Sequence, residues 1–363
     1  GLIVAMVVQP LAGHISDDTK SPWGRRVPYV VAGGLLTCLA AVVLGAASTL
    51  FVLAVGLMLA QLCLNIALGP YQALVRDIVP WRRRSVAASF KILAEGSGGI
   101  VFLVLVSFLI GRYRGPESIA WLWLCLTLMS LTMASAAVWT AITIRVKEDQ
   151  IGSGARSGPG ELEHEAHPQF TWFLGSRFCC TAALAAIQTY AVYFFRDVLG
   201  IENPVEAVGL MALVAGTGLL LATYPAGRLS NRVGRKWVMM ASAILGSGGA
   251  FSLLLISGVP QVLLVGFLLG AAAGAFLSVS WAMATDLVSS LRTGQQMGIA
   301  NIAALAGSVL ARLAGPGIDL LEHIEVGLGY SALVIMCGVL LMVGAVLLIP
   351  IRTTTSPSTA AVV

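Results

Sequence analysis

Apolar residues run along this chain in long unbroken blocks, with none of the alternation that marks a half-buried strand. Eleven blocks are legible: 1–15, 27–47, 50–75, 86–110, 119–144, 170–195, 208–226, 237–256, 262–285, 297–318 and 326–351. At a rise of about 1.5 Å per residue, a block of about 20 residues crosses the hydrocarbon core of a bilayer. A helix also satisfies its own backbone donors and acceptors, which lipid cannot do. The pattern predicts an all-α polytopic membrane protein. Composition agrees. Of the residues 58% are hydrophobic and 11% charged, and mean hydropathy is +0.89, whereas a soluble domain carries about 25% charged residues.

Charge changes the picture by its placement. The net charge of +5 does not gather on one face, so it does not point to nucleic acid. It sits in the short polar connections. If the connection at residues 13–26 is cytoplasmic and the blocks alternate, sixteen Lys and Arg residues fall on the cytoplasmic side, three outside and three within blocks. That bias predicts the orientation and puts the C-terminus inside. One long polar insert, 145–168, divides the chain into halves: helical residues 1–144 and 169–352, with a disordered tail at 353–363. Glu161, Glu163, His164, Glu165 and His167 in the insert read as a solvated linker. The six cysteines all lie in apolar blocks without metal-ligand spacing and read as small packing residues. No Walker-type phosphate loop occurs, so direct use of ATP is not expected. No metal, cofactor or enzymatic chemistry is implied.

The sequence repeats itself. GHISDDTKSPWGRR, from Gly13, is echoed by GRLSNRVGRK, from Gly227: Gly13 aligns with Gly227, Asp17 with Asn231, and Gly24, Arg25 and Arg26 with Gly234, Arg235 and Lys236. ALVRDIVPWRRR resembles AMATDLVSSLRT, aligning Asp77 with Asp286. Both pairs are about 210 residues apart and both occupy connections on the same side. The second half therefore repeats the first in parallel. Glycines let helices and a tight loop approach closely. Asp17 suits the N-terminal amides of a neighbouring helix, and Arg25 and Arg26 suit carboxylates such as Asp77.

Two parallel halves joined by a central loop, with Gly-x-x-Ser-Asp…Gly-Arg-Arg in the first connection, resemble the major facilitator superfamily. The run SDDTKSPWGRRVPYVVAGG, with FRDVLG and ATDLV further on, is similar to the sucrose and glycoside–cation symporter branch and its bacterial members. The resemblance implies two six-helix halves. One block precedes the Gly13 loop where two precede the Gly227 loop, and the chain has no initiator Met, so the first helix is expected to be missing. It also implies that the Gly13–Asp17–Arg26 loop is a cytoplasmic latch, made when the transporter faces outward. The uncharged Asn231 is expected to make a weaker second latch.

Ionisable groups inside a span are functional candidates. Lys91 and Glu95 lie one turn apart on one face, and Glu95 falls about 15 Å from the cytoplasmic end, near the midplane. They suit either a cavity pair that senses substrate or protons, or a structural ion pair. Arg177 is placed to snorkel toward the cytoplasmic surface. Arg312 has Asp319 seven residues on, which predicts either a cavity role or pairing of the two. Amides and aromatic rings suit hydroxyl-rich ligands, so Gln61, Asn65, Gln188, Tyr190, Trp281 and Asn301 join Glu95, Lys91 and Arg312 as substrate or coupling candidates. The reading is a secondary transporter working by alternating access, carrying a sugar or glycoside with H⁺. Na⁺ as coupling ion, export of amphipathic molecules, and a non-transporting role in pigment–protein assembly stay open. The chain is expected to act as a monomer in the bilayer of a bacterial inner membrane, with a small-molecule substrate and no nucleic acid.

Overall fold

The computed structural model describes residues 2–80, 83–112, 118–148, 168–201, 203–256, 258–288, 292–325 and 327–351. Most of the expected linker 145–168, and the whole tail 353–363, lie outside the described residues. The described chain is helical throughout: α1 Leu2–Asp18, α2 Val27–Gly45, α3 Leu50–Ile78, α4 Arg84–Ile110, α5 Ile119–Glu148, α6 Pro168–Asp197, α7 Pro204–Val233, α8 Arg235–Ser252, α9 Val259–Leu287, α10 Thr293–Leu313, α11 Gly315–Glu322 and α12 Leu328–Val346. Among the described residues ten helical spans are long and apolar enough to cross a membrane, the tenth but one running through α10 and α11. The remaining block is α1, of 17 residues. This is an integral, multi-pass helical protein.

Local chemistry sets the helix ends. Thr49 caps α3 by accepting the amide of Val52 at 3.2 Å. Gly24 takes φ +88° in the turn before α2, and Gly234 takes φ +105° between α7 and α8, a backbone region that glycine enters without penalty. The block 297–318 is not one helix. It breaks at Ala314, and a new helix starts with Gly315 and Pro316 at its first turn, where the missing proline N–H does no harm.

The chain divides into two compact units. The first lies within Gly1–Arg84, Glu95–Ala166 and Val288–Ile302; the second within Ser85–Ala94, His167–Leu287 and Ala303–Val363. In the first, α1 packs on α3, α3 on α2 and α2 on α5. In the second, α7 packs on α9, α9 on α8 and α8 on α12, with α6 also against α12. The order α1–α3–α2–α5 thus recurs as α7–α9–α8–α12, as the sequence repeat requires. Nearly the first three turns of α4, Ser85–Ala94, belong with the second unit, and nearly the first three of α10, to Ile302, with the first.

Candidate functional site

In the first unit the end of α1 meets the start of α10. A Cβ built on Gly13 would overlap the Gly294 carbonyl, and one on Gly298 would lie 2.6 Å from the Pro10 Cα. Only glycine permits backbones to come this close. The approach brings Asp17 over the first turn of α10, where its carboxylate accepts the amides of Gly294 at 3.0 Å and Gln295 at 3.1 Å. Unsatisfied N–H groups and the helix dipole both favour an anion there. Arg26 pairs with Asp17 at 2.5 Å and with Asp77 at 3.1 Å, and donates to Ser16 Oγ at 2.6 Å. The side chains of Arg26 and Asp17 are 0% and 1% exposed. Arg25, partly exposed, completes the group by pairing with Asp77 at 2.7 Å. Arg76 was not singled out from the sequence: buried on α3, it donates to the Val288 carbonyl just ahead of α10. Its adjacency to Asp77 was the available signal.

The second unit holds the counterpart on different terms. Gly227 of α7 packs against Ser85 and Ser89 of α4. Arg235 pairs with Asp286 of α9, donates to Ser85 Oγ at 2.9 Å and to the Ala282 carbonyl at 2.9 Å. Lys236 donates to the Ile349 carbonyl at 2.6 Å. Asn231, the counterpart of Asp17, is exposed. Asn231 therefore does not repeat the buried contact that Asp17 makes; Ser85 Oγ meets the Arg235 guanidinium here.

Three of the expected amide residues come together in the first unit through a fourth. Asn301 of α10 donates to Gln9 of α1 at 2.5 Å, Gln9 donates to Asn65 of α3 at 2.6 Å, and Asn65 donates to the Gln61 carbonyl at 2.6 Å. Gln9 is 2% exposed and Asn65 3%. Gly69 lets α3 lie against the Gln9 backbone. A buried amide left without partners costs about 1–3 kcal/mol, so the row holds α1, α3 and α10 in register. Gln9 was missed in the sequence. The signal was a lone amide beside Pro10 in an apolar block.

The other candidates divide. In the second unit Lys91 Nζ lies 4.3 Å from the Trp281 ring centre, and the Arg177 guanidinium lies 4.6 Å from the same ring. Arg177 does not snorkel. It is 2% exposed and donates to Ser280 Oγ at 2.7 Å, because α9 offers it a hydroxyl and an indole. Tyr190 donates to the Arg312 carbonyl at 3.2 Å. The Arg312 and Gln188 side chains are exposed, and the break at Ala314 separates Arg312 from Asp319, with which it makes no ion pair. Glu95 is exposed on α4, one turn beyond Lys91.

Known proteins resemble this chain in sequence and in backbone. The rice sucrose transport protein SUT1 is 56% identical over 45 residues, 12% of this chain and 8% of its own length. The Arabidopsis thaliana sucrose transport protein SUC4 is 29% identical over 135 residues, 32% of this chain and 25% of its own. The matched stretches thus span a quarter or less of these relatives. The crystal structure of a bacterial homologue of the iron transporter ferroportin, outward-facing with soaked iron, superposes with a TM-score of 0.74 at 16% identity, over 96% of this chain and 87% of that one; at that identity the likeness is one of fold. A family described as MFS/sugar transport protein matches residues 1–321. This chain, with its repeated helical halves, belongs to that family of major facilitator superfamily membrane transporters.

Proposed function

We propose that the protein moves a sugar or glycoside across the membrane by alternating access, in symport with protons. The observation that carries the reading is the buried row Gln61–Asn65–Gln9–Asn301. Amides both donate and accept, which is what a hydroxyl-rich cargo needs. The fold likeness does not choose the cargo, since the superposed structure is of an iron transporter homologue; the sequence likeness to sucrose transport proteins over short stretches supports a sugar. Asp17, Arg25, Arg26 and Asp77 act as the cytoplasmic latch, with Arg235, Lys236 and Asp286 as its second-half partner around Gly227 and Gly234. Such a latch biases one of two conformations and works because it can be broken. Glu95 is the proton-coupling carboxylate. The Lys and Arg bias supports a cytoplasmic C-terminus, in a protein of a bacterial inner membrane.

The test is uptake into inverted and right-side-out vesicles. Labelled sucrose, maltose and phenyl glucoside are offered with and without an imposed pH gradient. Accumulation of one of them, driven by the gradient and abolished by a protonophore, is the expected result. Failure of every sugar to enter or exchange would sink the reading.

A further inference from the structure

One face of α7 is exposed along most of its length. Leu213, Thr217, Leu221 and Tyr224 follow one another at three or four residues, so they stand on one side of the helix, and all four are exposed. The Thr217 hydroxyl donates to the Leu213 carbonyl at 2.9 Å, which satisfies it within the helix, as lipid demands. From Leu213 to Tyr224 the stripe runs about 16 Å, close to the hydrocarbon depth of one leaflet. There Tyr224 meets the exposed Phe90 of α4, ring centres 5.7 Å apart. Trp237, three residues beyond the Gly234 turn, is also exposed. Tyr and Trp gather at the depth where hydrocarbon gives way to headgroups. The next two turns of the same face carry Arg228 and Arg232, both exposed.

Nothing in the fold employs these two arginines. Among the described residues neither makes a hydrogen bond, an ion pair or a ring contact. Arg232 lies in the last turn of α7, where a cation suits the free carbonyls, yet it donates to none of those described. From Gly227 to Trp237 the chain has four cations and no acid. The sequence repeat supplies an internal comparison. α1 also exposes an apolar stripe, Ile3, Val7 and Leu11, but the residues aligned with Arg228 and Arg232 are His14 and Asp18. The orientation rule asks for positive charge on that side of the membrane, not for its alignment with an exposed apolar stripe.

We propose that the cytoplasmic end of α7 binds an anionic phospholipid, its headgroup phosphate on Arg228 and Arg232 and an acyl chain along Tyr224, Leu221 and Leu213. The guanidinium fork matches two oxygens of a phosphate. The arginine stems lie along apolar surface while their heads reach the headgroup layer. Phosphatidylglycerol presents a net negative charge to the pair, whereas the ammonium of phosphatidylcholine cancels it. A lipid fits better than a soluble acidic partner because the charge continues an apolar stripe as deep as one leaflet. The stripe on α1, ending at Asp18, has no such preference. The site is the same whatever cargo the protein moves.

The experiment offers the intact purified protein, in detergent micelles, equal amounts of phosphatidylglycerol and phosphatidylcholine with identical chains. Native mass spectrometry counts the molecules of each that stay bound. A basic side chain beside an anionic headgroup is worth about fivefold in binding. Wild type should therefore retain phosphatidylglycerol over phosphatidylcholine at least about tenfold, and Arg228→Gln with Arg232→Gln should bring the ratio to within about twofold of unity. The ratio is unmoved by a general loss of folded protein. Should the double variant fail to accumulate, Arg232→Gln alone should cut the ratio about fivefold. Lys20→Gln with Arg83→Gln removes two exposed cations of the first unit and should leave the ratio within about twofold of wild type. An equal fall in that control means diffuse attraction and overturns the proposal. Equal retention of the two lipids by wild type overturns it too, and leaves the arginines to a soluble acidic partner. Glycerol 3-phosphate, a headgroup without chains, should not displace the bound lipid; displacement would show that the anion alone is held and would overturn the lipid reading.

Discussion

Asp17→Asn removes one charge from the buried contact between α1 and α10, and the structure sets the size of the effect. The carboxylate holds two amides, at 3.0 and 3.1 Å, and one guanidinium at 2.5 Å. An asparagine keeps one acceptor oxygen. Its NH₂ then faces a donor, either an amide of α10 or Arg26. Loss of a charge from a helix N-terminus alone costs up to about 2 kcal/mol, and breaking a buried ion pair about 3–5 kcal/mol. Arg26 keeps Asp77 and Ser16, which caps the loss, so about 2–3 kcal/mol is expected. That is about a 30- to 140-fold shift in the population of the closed contact. Hydrogen exchange at Gly294 and Gln295, read from a peptide that spans the start of α10, reports it directly. Exchange there should speed up by that factor in Asp17→Asn. Asn231→Ala should leave the first turn of α4 unchanged, because Asn231 is exposed. Exchange within about threefold of wild type at Gly294, or an equal effect from Asn231→Ala, would refute the argument that a buried charge carries this contact.

Gln9→Leu deprives Asn65 and Asn301 of their shared partner, at about 1–3 kcal/mol for a buried amide left unpaired; uptake of the transported sugar should fall at least about tenfold in a protein that still inserts, and normal uptake would remove the row from the site. Glu95→Gln should preserve exchange of labelled sugar across the membrane while abolishing uphill uptake driven by pH, and gradient-driven accumulation by a well-expressed variant would take Glu95 out of the coupling. If that variant instead fails to accumulate and Lys91→Met restores it, the two residues form a structural pair. A cysteine placed at Ser153, in the central linker, should react with an impermeant thiol reagent only in opened cells; labelling of intact cells would reverse the orientation.

How much of this was legible in the sequence depended on the range of the interaction. Helix existence is local, so apolar blocks gave the eleven segments, and the Gly13 and Gly227 repeats gave two parallel halves. The block 297–318 was rightly read as one span, but hydropathy ignores the Gly315–Pro316 pair, at which the helix is interrupted at Ala314. The contact around Asp17 was legible because motif residues meet: Arg25, Arg26 and Asp77 sit at the ends of consecutive helices. Its other partner, the start of α10, lies 277 residues away, and only the expectation of some helix N-terminus could be read. Arg177 was misjudged for the same reason. Its hydroxyl partner is 103 residues on, and no periodicity links a cation on α6 to an indole on α9. Gln9 carried a local signal that went unused, a single amide in an apolar block.

The amide row has a direction. A backbone carbonyl can only accept, so the bond from Asn65 to the Gln61 carbonyl fixes which way the Asn65 amide is turned. That choice passes to Gln9, whose NH₂ must meet the Asn65 oxygen, and from Gln9 to Asn301. No member can flip alone without setting two donors or two acceptors face to face. The row therefore ends in unlike groups: an acceptor oxygen on Asn301 and an NH₂ on Gln61. A hydroxyl meeting the Asn301 end has to give its proton, and one meeting the Gln61 end has to receive. Replacing a hydroxyl by fluorine, which accepts weakly and cannot donate, is then tolerated at one end and rejected at the other. The two ends of one chain of amides would distinguish the two ends of one sugar ring.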